Sequence, residues 1–242
     1  MESFIIVLFI LSTYILMKNF FGIIPARKGS KSIKNKNLVL IKKKKLIEHT
    51  LQSASRSKYL KKIFVSSDDI RILNISKNFK KMILHRRKKK NSKSNSLLSE
   101  AINDVIVKFK DFIKPDDFIV LLQPTTPQRK TEDIDSAIRI FLKKYKKYNS
   151  LATISEPLNH PRELVIKKGN NFDLFLKRKK DLNRQKYFKS FFINGSIYIS
   201  KVKSYKKNRT FFTKNIYYLM TDKKFSIDLN DSLEMKLIER LI

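Results

Sequence analysis

A basic, glycine-containing loop follows the first apolar stretch that reads as a strand, residues 20–24. Arginine can grip phosphate oxygens in bidentate fashion, and lysine acts as a point charge. Gly29 can adopt positive φ, which lets the backbone approach a ligand closely. A strand that opens into such a loop is typical of a phosphate cradle, although an ordinary basic surface turn is the alternative. The polar groups that the loop offers are Arg27, Ser30, Lys31 and Lys36.

Polar residues also follow three later apolar stretches. They are Ser66-Ser67, Arg86-Arg87 and Gln123-Pro124. Ligands of open parallel sheets bind outside the carboxyl ends of the strands. We therefore expect these residues and the basic loop to converge on one crevice. For Gln123, a role as simple strand terminator is the alternative.

The elements that position these residues alternate between strand and helix. Strands are predicted at 62–67, 81–84 and 118–122, and helices at 46–54, 97–109 and 131–145. This alternation predicts an α/β fold with a mostly parallel central sheet. Strands dominate beyond residue 150, and the chain closes with a predicted helix. These later strands are predicted at 151–154, 164–167, 197–200 and 216–220, and the helix at 233–241.

Composition limits the function classes. The 242 residues, of which 42% are hydrophobic, suit one α/β domain with a sizeable core. The absence of cysteine excludes disulfides and thiolate metal sites. Three scattered histidines do not suggest a zinc centre.

The formal charge of +33 has two interpretations. A large positive field favours polyanionic partners. Abundant lysine, asparagine and isoleucine beside 4 glycines and no tryptophan favour a compositional bias instead. The lysine clusters are spread along the chain and no nucleic-acid motif is present. We therefore expect no nucleic-acid partner, and keep a basic nucleic-acid-binding protein as the alternative.

The chain begins with an uncharged, mostly apolar run over residues 3–17. It is shorter than the roughly 20 residues of a membrane span. A short membrane anchor, a signal-like segment and an upstream extension of the domain are all open, and the extension is favoured. We accordingly divide the chain into an extension, 1–18, and a domain, 19–242. A cytoplasmic location is expected, with membrane contact through residues 3–17 if they form an anchor.

Several motifs, taken together and in order, resemble the acylneuraminate cytidylyltransferases, including those that act on pseudaminic and legionaminic acids. Residues 23–37 are similar to the opening signature of that family without a gap. The resemblance covers essentially residues 20–242. Its other motifs are Val65-Ser66-Ser67-Asp68-Asp69, Arg86-Arg87, residues 121–127, Asn183-Arg184-Gln185, residues 194–199 and residues 226–230.

The resemblance implies a Rossmann-like nucleotidyltransferase fold with a small strand-rich dimerisation insertion. It implies transfer of CMP from CTP to a nine-carbon 2-keto sugar acid, with release of pyrophosphate, for cell-surface glycan synthesis. Mg²⁺ is the implied cofactor and a homodimer the implied assembly. The alternative within the family is a catalytically weak, membrane-associated scaffold.

Residue roles follow from the same resemblance. Arg27, Lys36 and Asp228 are the implied catalytic residues, and Asp228 with Asn230 the implied metal ligands. The implied substrate-binding residues are Ser30, Lys31 and Asn37 for the triphosphate, Arg86 for the nucleoside, Gln123, Arg184 and Gln185 for the sugar acid, and Asn194 for the wall of its site. A strand-to-helix turn at 228–230 and a solvated surface charge at 184 are the alternatives, and Tyr198 reads as structural.

The sequence departs from the family pattern at four positions. Lys28 and Ser32 replace loop glycines, and Lys88 replaces a proline. Asn230 replaces the second aspartate of the metal pair. An amide oxygen is a weaker Mg²⁺ ligand than a carboxylate, so weaker metal binding than in relatives is expected.

Overall fold

The computed structural model describes residues 18–29, 33–88, 97–176 and 183–242. Within these ranges the chain forms a seven-stranded sheet and two separate two-stranded sheets. The eleven strands, in chain order, are β1 Phe20–Pro25, β2 Leu40–Ile41, β3 Lys44–Lys45, β4 Leu60–Ser67, β5 Met82–Arg86, β6 Phe118–Leu121, β7 Ser150–Ser155, β8 Val165–Lys168, β9 Asn171–Leu174, β10 Phe192–Lys201 and β11 Ile216–Met220.

The central sheet has the order β11-β7-β10-β6-β1-β4-β5. Every neighbouring pair is parallel except those of β10, which runs antiparallel to both β6 and β7. The prediction of a mostly parallel α/β sheet is confirmed. Because β1, β4 and β6 are adjacent and parallel, their carboxyl ends meet at one edge.

Six α-helices accompany the strands within the described ranges. Helices predicted at 46–54, 97–109, 131–145 and 233–241 are present with ends shifted by a few residues, as is usual for helix boundaries. The short helix in the 202–208 region has no counterpart among the predictions. The helices are α1 Leu46–Arg56, α2 Ile70–Ser76, α3 Leu98–Lys108, α4 Thr131–Lys144, α5 Val202–Asn208 and α6 Ser232–Leu241.

The helices cover both faces of the sheet. Successive strand residues point to opposite faces, so Ile24 packs in the cluster formed with α1, α2 and α4, whereas Ile23 packs in the cluster formed with α3 and α5. Both side chains are fully buried. A third cluster, which includes Ile41, Leu229 and Ile238, anchors the C-terminal segment.

Strands β8 and β9 form an antiparallel hairpin outside the central sheet. The sequence predicted the first of these strands, one residue early, and missed the second. All eight of their residues are exposed. This hairpin is our candidate for the strand-rich insertion that the family resemblance implies.

No helix in the described ranges is long and apolar enough to cross a bilayer. Residues 3–17, for which a membrane anchor was one interpretation, lie outside those ranges.

Candidate active site

A cavity of about 350 Å³ opens at the carboxyl ends of β1 and β6. It collects residues from the basic loop, from the segment after β6 and from the segment before α6. The sequence-predicted residues that line it are Arg27, Lys36, Asn37, Gln123, Asp228 and Asn230; the others are Pro25, Gly29, Arg87, Leu98, Pro124 and Thr125. Residues up to 205 positions apart in the sequence thus meet in one site, as the convergence of strand ends predicts. Ser66 and Ser67, which were expected at the same crevice, are fully buried and do not line it.

Among the described residues of the basic loop, Asn35 has positive φ and Gly29 does not. Gly29 does not adopt positive φ, contrary to expectation, and a Cβ there would meet nothing within 4 Å. Asn35 takes the left-handed conformation, with φ 54°, which asparagine tolerates better than most residues. The side chain of Asn37 then donates a 2.9 Å hydrogen bond to the carbonyl oxygen of Arg27. This bond ties the two sides of the loop together.

Lys36 connects the basic loop to the segment before α6. Its Nζ donates a 2.6 Å hydrogen bond to the carbonyl oxygen of Leu229. Burial lowers the pKa of Lys36, and the negative charge of Asp228 opposes that shift. The cation is therefore held by a backbone acceptor and a nearby carboxylate.

The segment that carries Asp228 is fastened to the loop after β6. Leu229 donates its backbone N–H to the carbonyl oxygen of Thr125 at 3.0 Å. The side-chain amide of Gln128 donates to the carbonyl oxygens of Ile227, at 2.8 Å, and Lys224, at 3.2 Å. Three bonds thus place Asp228 at the cavity wall.

Asp228 has the properties of a cation ligand. Its Oδ1 is buried and has no hydrogen-bond partner among the described residues. Burial raises the pKa of Asp228, while the nearby Thr125 hydroxyl and Lys36 cation act in the opposite sense. A buried carboxylate oxygen without a partner is costly, and a hard cation would satisfy it. Asn230 lines the same cavity, with its side-chain amide donating to the carbonyl oxygen of Asp228 at 3.2 Å.

Arg87, and not the predicted Arg86, faces the cavity. Arg86 is exposed, whereas Arg87 is only 9% exposed. Neighbouring residues at the end of a strand point to opposite sides, so only one of the two arginines can enter the site. The Nε of Arg87 donates a 2.9 Å hydrogen bond to Ser66 Oγ. Burial lowers the pKa of Arg87 to about 10, so it stays charged at neutral pH.

Gln123 lies next to Gly195 in β10. Gly195 has φ 74°, and a Cβ there would lie 4.0 Å from Gln123 Oε1. The predicted Asn194 does not line the cavity. It is buried, and it bonds Thr153 Oγ1 at 2.7 Å and Thr221 Oγ1 at 2.8 Å. Asn194 therefore fixes the backbone next to Gly195 and does not contact the cavity.

The other predicted residues are not brought to the cavity. Arg184 and Gln185 are exposed on a short turn outside it, and Arg184 forms an ion pair with Glu163. Ser30 and Lys31 lie outside the described residues. Their substrate contacts stay predictions.

A larger cleft of about 870 Å³ lies between α1 and α4. Lys44, Arg56 and Arg139 are among its residues, and no sequence-predicted site residue lines it. We assign the site to the smaller cavity because the strand ends and the Asp228 carboxylate meet there.

Two polar residues of the cavity had no role assigned from the sequence, Arg87 and Thr125. Arg87 was expected near the crevice as part of the Arg86-Arg87 pair, but the sequence alone could not decide which of the two arginines enters it. Arg129 was also missed. It is 2% exposed, and it donates to the carbonyl oxygens of Gln123, at 3.1 Å, and Ser196, at 2.5 Å. A charged residue in a loop gives no sign of such burial.

Residues 21–241 match the profile of the family described as Cytidylyltransferase. The chain is 30% identical over 224 residues to CMP-N,N'-diacetyllegionaminic acid synthase from Legionella pneumophila, covering 91% of this chain and 95% of that protein. It is 26% identical to N-acylneuraminate cytidylyltransferase from Escherichia coli, covering 89% of this chain and 50% of that protein.

A solved structure of CMP:2-keto-3-deoxy-manno-octonic acid synthetase, complexed with CTP, superposes with a TM-score of 0.64. The identity is 15%, and the match covers 93% of this chain and 98% of that chain. This likeness confirms the expected nucleotidyltransferase fold. With a family match over nearly its whole length, the chain belongs to the cytidylyltransferase family.

Proposed function

We propose that the protein transfers CMP from CTP to a nine-carbon 2-keto sugar acid and releases pyrophosphate. The observation that carries this proposal is the cavity in which Arg27, Lys36 and Arg87 face the partnerless Asp228 carboxylate oxygen. Three cations suit a triphosphate, and one carboxylate suits its metal ion. The substrate class is supported by the relatives named for legionaminic and N-acylneuraminic acids.

In the proposed reaction the anomeric hydroxyl oxygen of the sugar attacks the α-phosphorus of CTP. A bond forms between these atoms, the bond from the α-phosphorus to the bridging oxygen breaks, and the hydroxyl proton is released. Negative charge grows on the departing pyrophosphate. Arg27 and Lys36 would stabilise that charge because preorganised cations in a poorly solvated site act strongly on the transition state.

Mg²⁺ would be held by Asp228, with Asn230 beside it, while phosphate oxygens and water complete its ligands. When bound, Mg²⁺ neutralises phosphate charge. The described residues contain no cluster of three or more histidine, cysteine, aspartate or glutamate ligands.

Gln123 would contact the sugar acid, since it lines the cavity beside the Gly195 turn. Arg184 and Gln185 stay assigned to the acid substrate through the family resemblance only. The Legionella pneumophila and Escherichia coli relatives are named as enzymes and not as nucleic-acid-binding proteins or scaffolds, and no observation favours those alternatives.

A homodimer built through the β8–β9 hairpin is part of the proposal. The hairpin exposes apolar side chains that a monomer would leave in water, among them Val165 at 57% and Phe172 at 65%. Contiguous exposed apolar surface marks interaction sites. A second copy of the chain is the occupant that the resemblance implies.

The experiment that tests the activity is pyrophosphate release from CTP and Mg²⁺ with a panel of acids. The panel contains N,N'-diacetyllegionaminic acid, N-acetylneuraminic acid and the eight-carbon 3-deoxy-manno-octulosonic acid. Turnover with a nine-carbon acid is expected. Exclusive turnover of the eight-carbon acid would overturn the substrate class, and no release with any acid would overturn the activity.

A further inference from the structure

A chain of polar side chains lies directly behind Arg87. Ser66 Oγ, on β4, is 2.9 Å from Arg87 Nε and 2.9 Å from His85 Nδ1, on β5. The opposite ring nitrogen of His85 is 3.4 Å from Oδ2 of Asp104, on α3. Ser66 and His85 are at most 1% exposed. Asp104 Oδ2 is buried and has no hydrogen-bond partner among the described residues, so it acts on His85 Nε2 as a nearby negative charge and not as a bonded acceptor.

The direction of each bond follows from the donors available. Arg87 Nε–H can only donate, so Ser66 Oγ accepts from it. Ser66 Oγ could also accept from a protonated His85 Nδ1, but the lone pair of Nε2 would then face the Asp104 carboxylate. We therefore assign the Ser66 hydroxyl proton to the bond with Nδ1, and the single ring proton of His85 to Nε2, on the side of Asp104.

The electrostatic surroundings keep His85 neutral. Burial lowers the pKa of His85 to about 4, against the opposing effect of Asp104. The cations Arg87, Lys88 and Lys108 add to the lowering. At neutral pH Nδ1 of the neutral His85 ring can therefore accept a hydrogen bond from the Ser66 hydroxyl. A protonated Nδ1 would instead donate to Ser66 Oγ, which is also the acceptor of the Arg87 Nε–H.

The residue types match a Ser-His-Asp triad, but the arrangement does not suit nucleophilic attack. The side chain of Ser66 is 0% exposed, and its oxygen is engaged by two partners. A nucleophile must reach its substrate. What reaches the cavity is Arg87.

We propose that Asp104, His85 and Ser66 form a positioning relay that holds the Arg87 guanidinium in the cavity for the phosphates of a nucleoside triphosphate. The hydrogen bond at Nε fixes the plane of the Arg87 guanidinium. That plane decides whether two of its N–H groups can bond the same phosphate group in bidentate fashion. This inference rests on the proposed function, because the anion it names is that of CTP.

The test measures CTP dissociation constants by calorimetry in the presence of Mg²⁺, for the full chain and its variants. His85→Phe keeps a ring and removes the acceptor, and we expect about tenfold weaker binding, as for loss of other outer-shell partners. His85→Asn places an amide oxygen, Oδ1, near the position of the His85 Nδ1 acceptor. This variant should bind CTP almost as tightly as the unmodified protein. His49→Phe, a half-buried histidine whose Nε2 contacts the Ile41 carbonyl oxygen at 3.0 Å, is the control.

Combination with Arg87→Ala separates a relay from a merely structural role. If His85 acts through Arg87, His85→Phe should change CTP affinity less than twofold once Arg87 is absent, because residues in one network are not additive. Equal losses with and without Arg87 would overturn the relay. If His85→Phe does not fold, Ser66→Ala in the same two backgrounds gives the same decision.

The histidine tautomer gives a readout that does not involve CTP. Nitrogen-15 spectra should show His85 neutral at pH 7 with its proton on Nε2. A proton on Nδ1 would overturn the relay while leaving the proposed function intact. Unmodified protein that shows the expected tautomer and binds no CTP would instead overturn the proposed function, and the nucleotide role of the relay with it.

Discussion

Lys36 Nζ is hydrogen-bonded to the carbonyl oxygen of Leu229, 193 positions away in the sequence. The bond joins the basic loop to the segment that carries Asp228, and both segments line the cavity. Leu229 is fully buried, so the acceptor is held in place by packing. The basic loop and the candidate metal ligand therefore form one unit.

Replacing Lys36 tests this unit. Lys36→Met removes the cation and the bond to Leu229, and we expect kcat/KM for CTP to fall about 100-fold, the scale measured for loss of one preorganised donor. Lys34→Met, an exposed lysine two residues earlier, is the control. Equal kinetics in the two variants would show that Lys36 is only a surface charge.

Restoring the second carboxylate tests the metal assignment. Asn230→Asp adds a harder ligand beside Asp228, so the Mg²⁺ concentration at half-maximal activity should fall. Asn78→Asp adds the same charge at an exposed position elsewhere on the chain. An unchanged Mg²⁺ requirement in Asn230→Asp would contradict metal binding at this position.

Arg129 should matter for stability and for the sugar site. Arg129→Met removes the Arg129 donor from the Ser196 carbonyl oxygen and one of two donors from the Gln123 carbonyl oxygen, which the Thr126 hydroxyl also contacts at 3.3 Å. We expect a loss of about 2 to 4 kcal/mol in the free energy of unfolding. The KM for the sugar acid should also rise because Gln123 loosens. Exposed Arg139→Met is the control in denaturant titrations. Equal stability of both variants would refute the prediction.

His85 should make stability depend on pH. Its pKa is about 4 in the folded protein, against the ordinary value of 6.5. Between these values the unfolded chain binds the proton and the folded chain does not, so stability falls as pH drops from about 6.5 towards 4. His85→Phe should flatten the Tm profile in this window. A profile that keeps its full slope would argue against the lowered pKa.

The β8–β9 hairpin should carry the dimer contact. Val165→Lys places a charge on that apolar surface and should shift the protein towards monomer, as measured by light scattering after size exclusion. Val107→Lys is a matched control, because Val107 on α3 is 55% exposed, against 57% for Val165. Dissociation by both changes, or by neither, would count against this interface.

Local patterns were sufficient for the central elements. Continuous apolar runs predicted β4 and β6, and helical spacing of apolar residues predicted α1 and α6, because burial on one or both faces leaves a period in the sequence. They were insufficient for β9, whose residues are all exposed. Strand β9 alternates polar and apolar residues, but it pairs only with β8, outside the central sheet, and that pairing is not a local property of the sequence.

By itself the sequence determined which segments contribute to the candidate site, because each motif is a contiguous stretch of the chain. These segments are the loop at 27–37, the turn at 123–127 and the pair at 228 and 230. Only the tertiary structure decided which side chains enter it. It chose Arg87 over Arg86, turned the loop at Asn35 and buried Asn194 behind the glycine turn. These outcomes depend on the face that each side chain presents once strands pair and helices cover them, a non-local property that motif spacing does not contain.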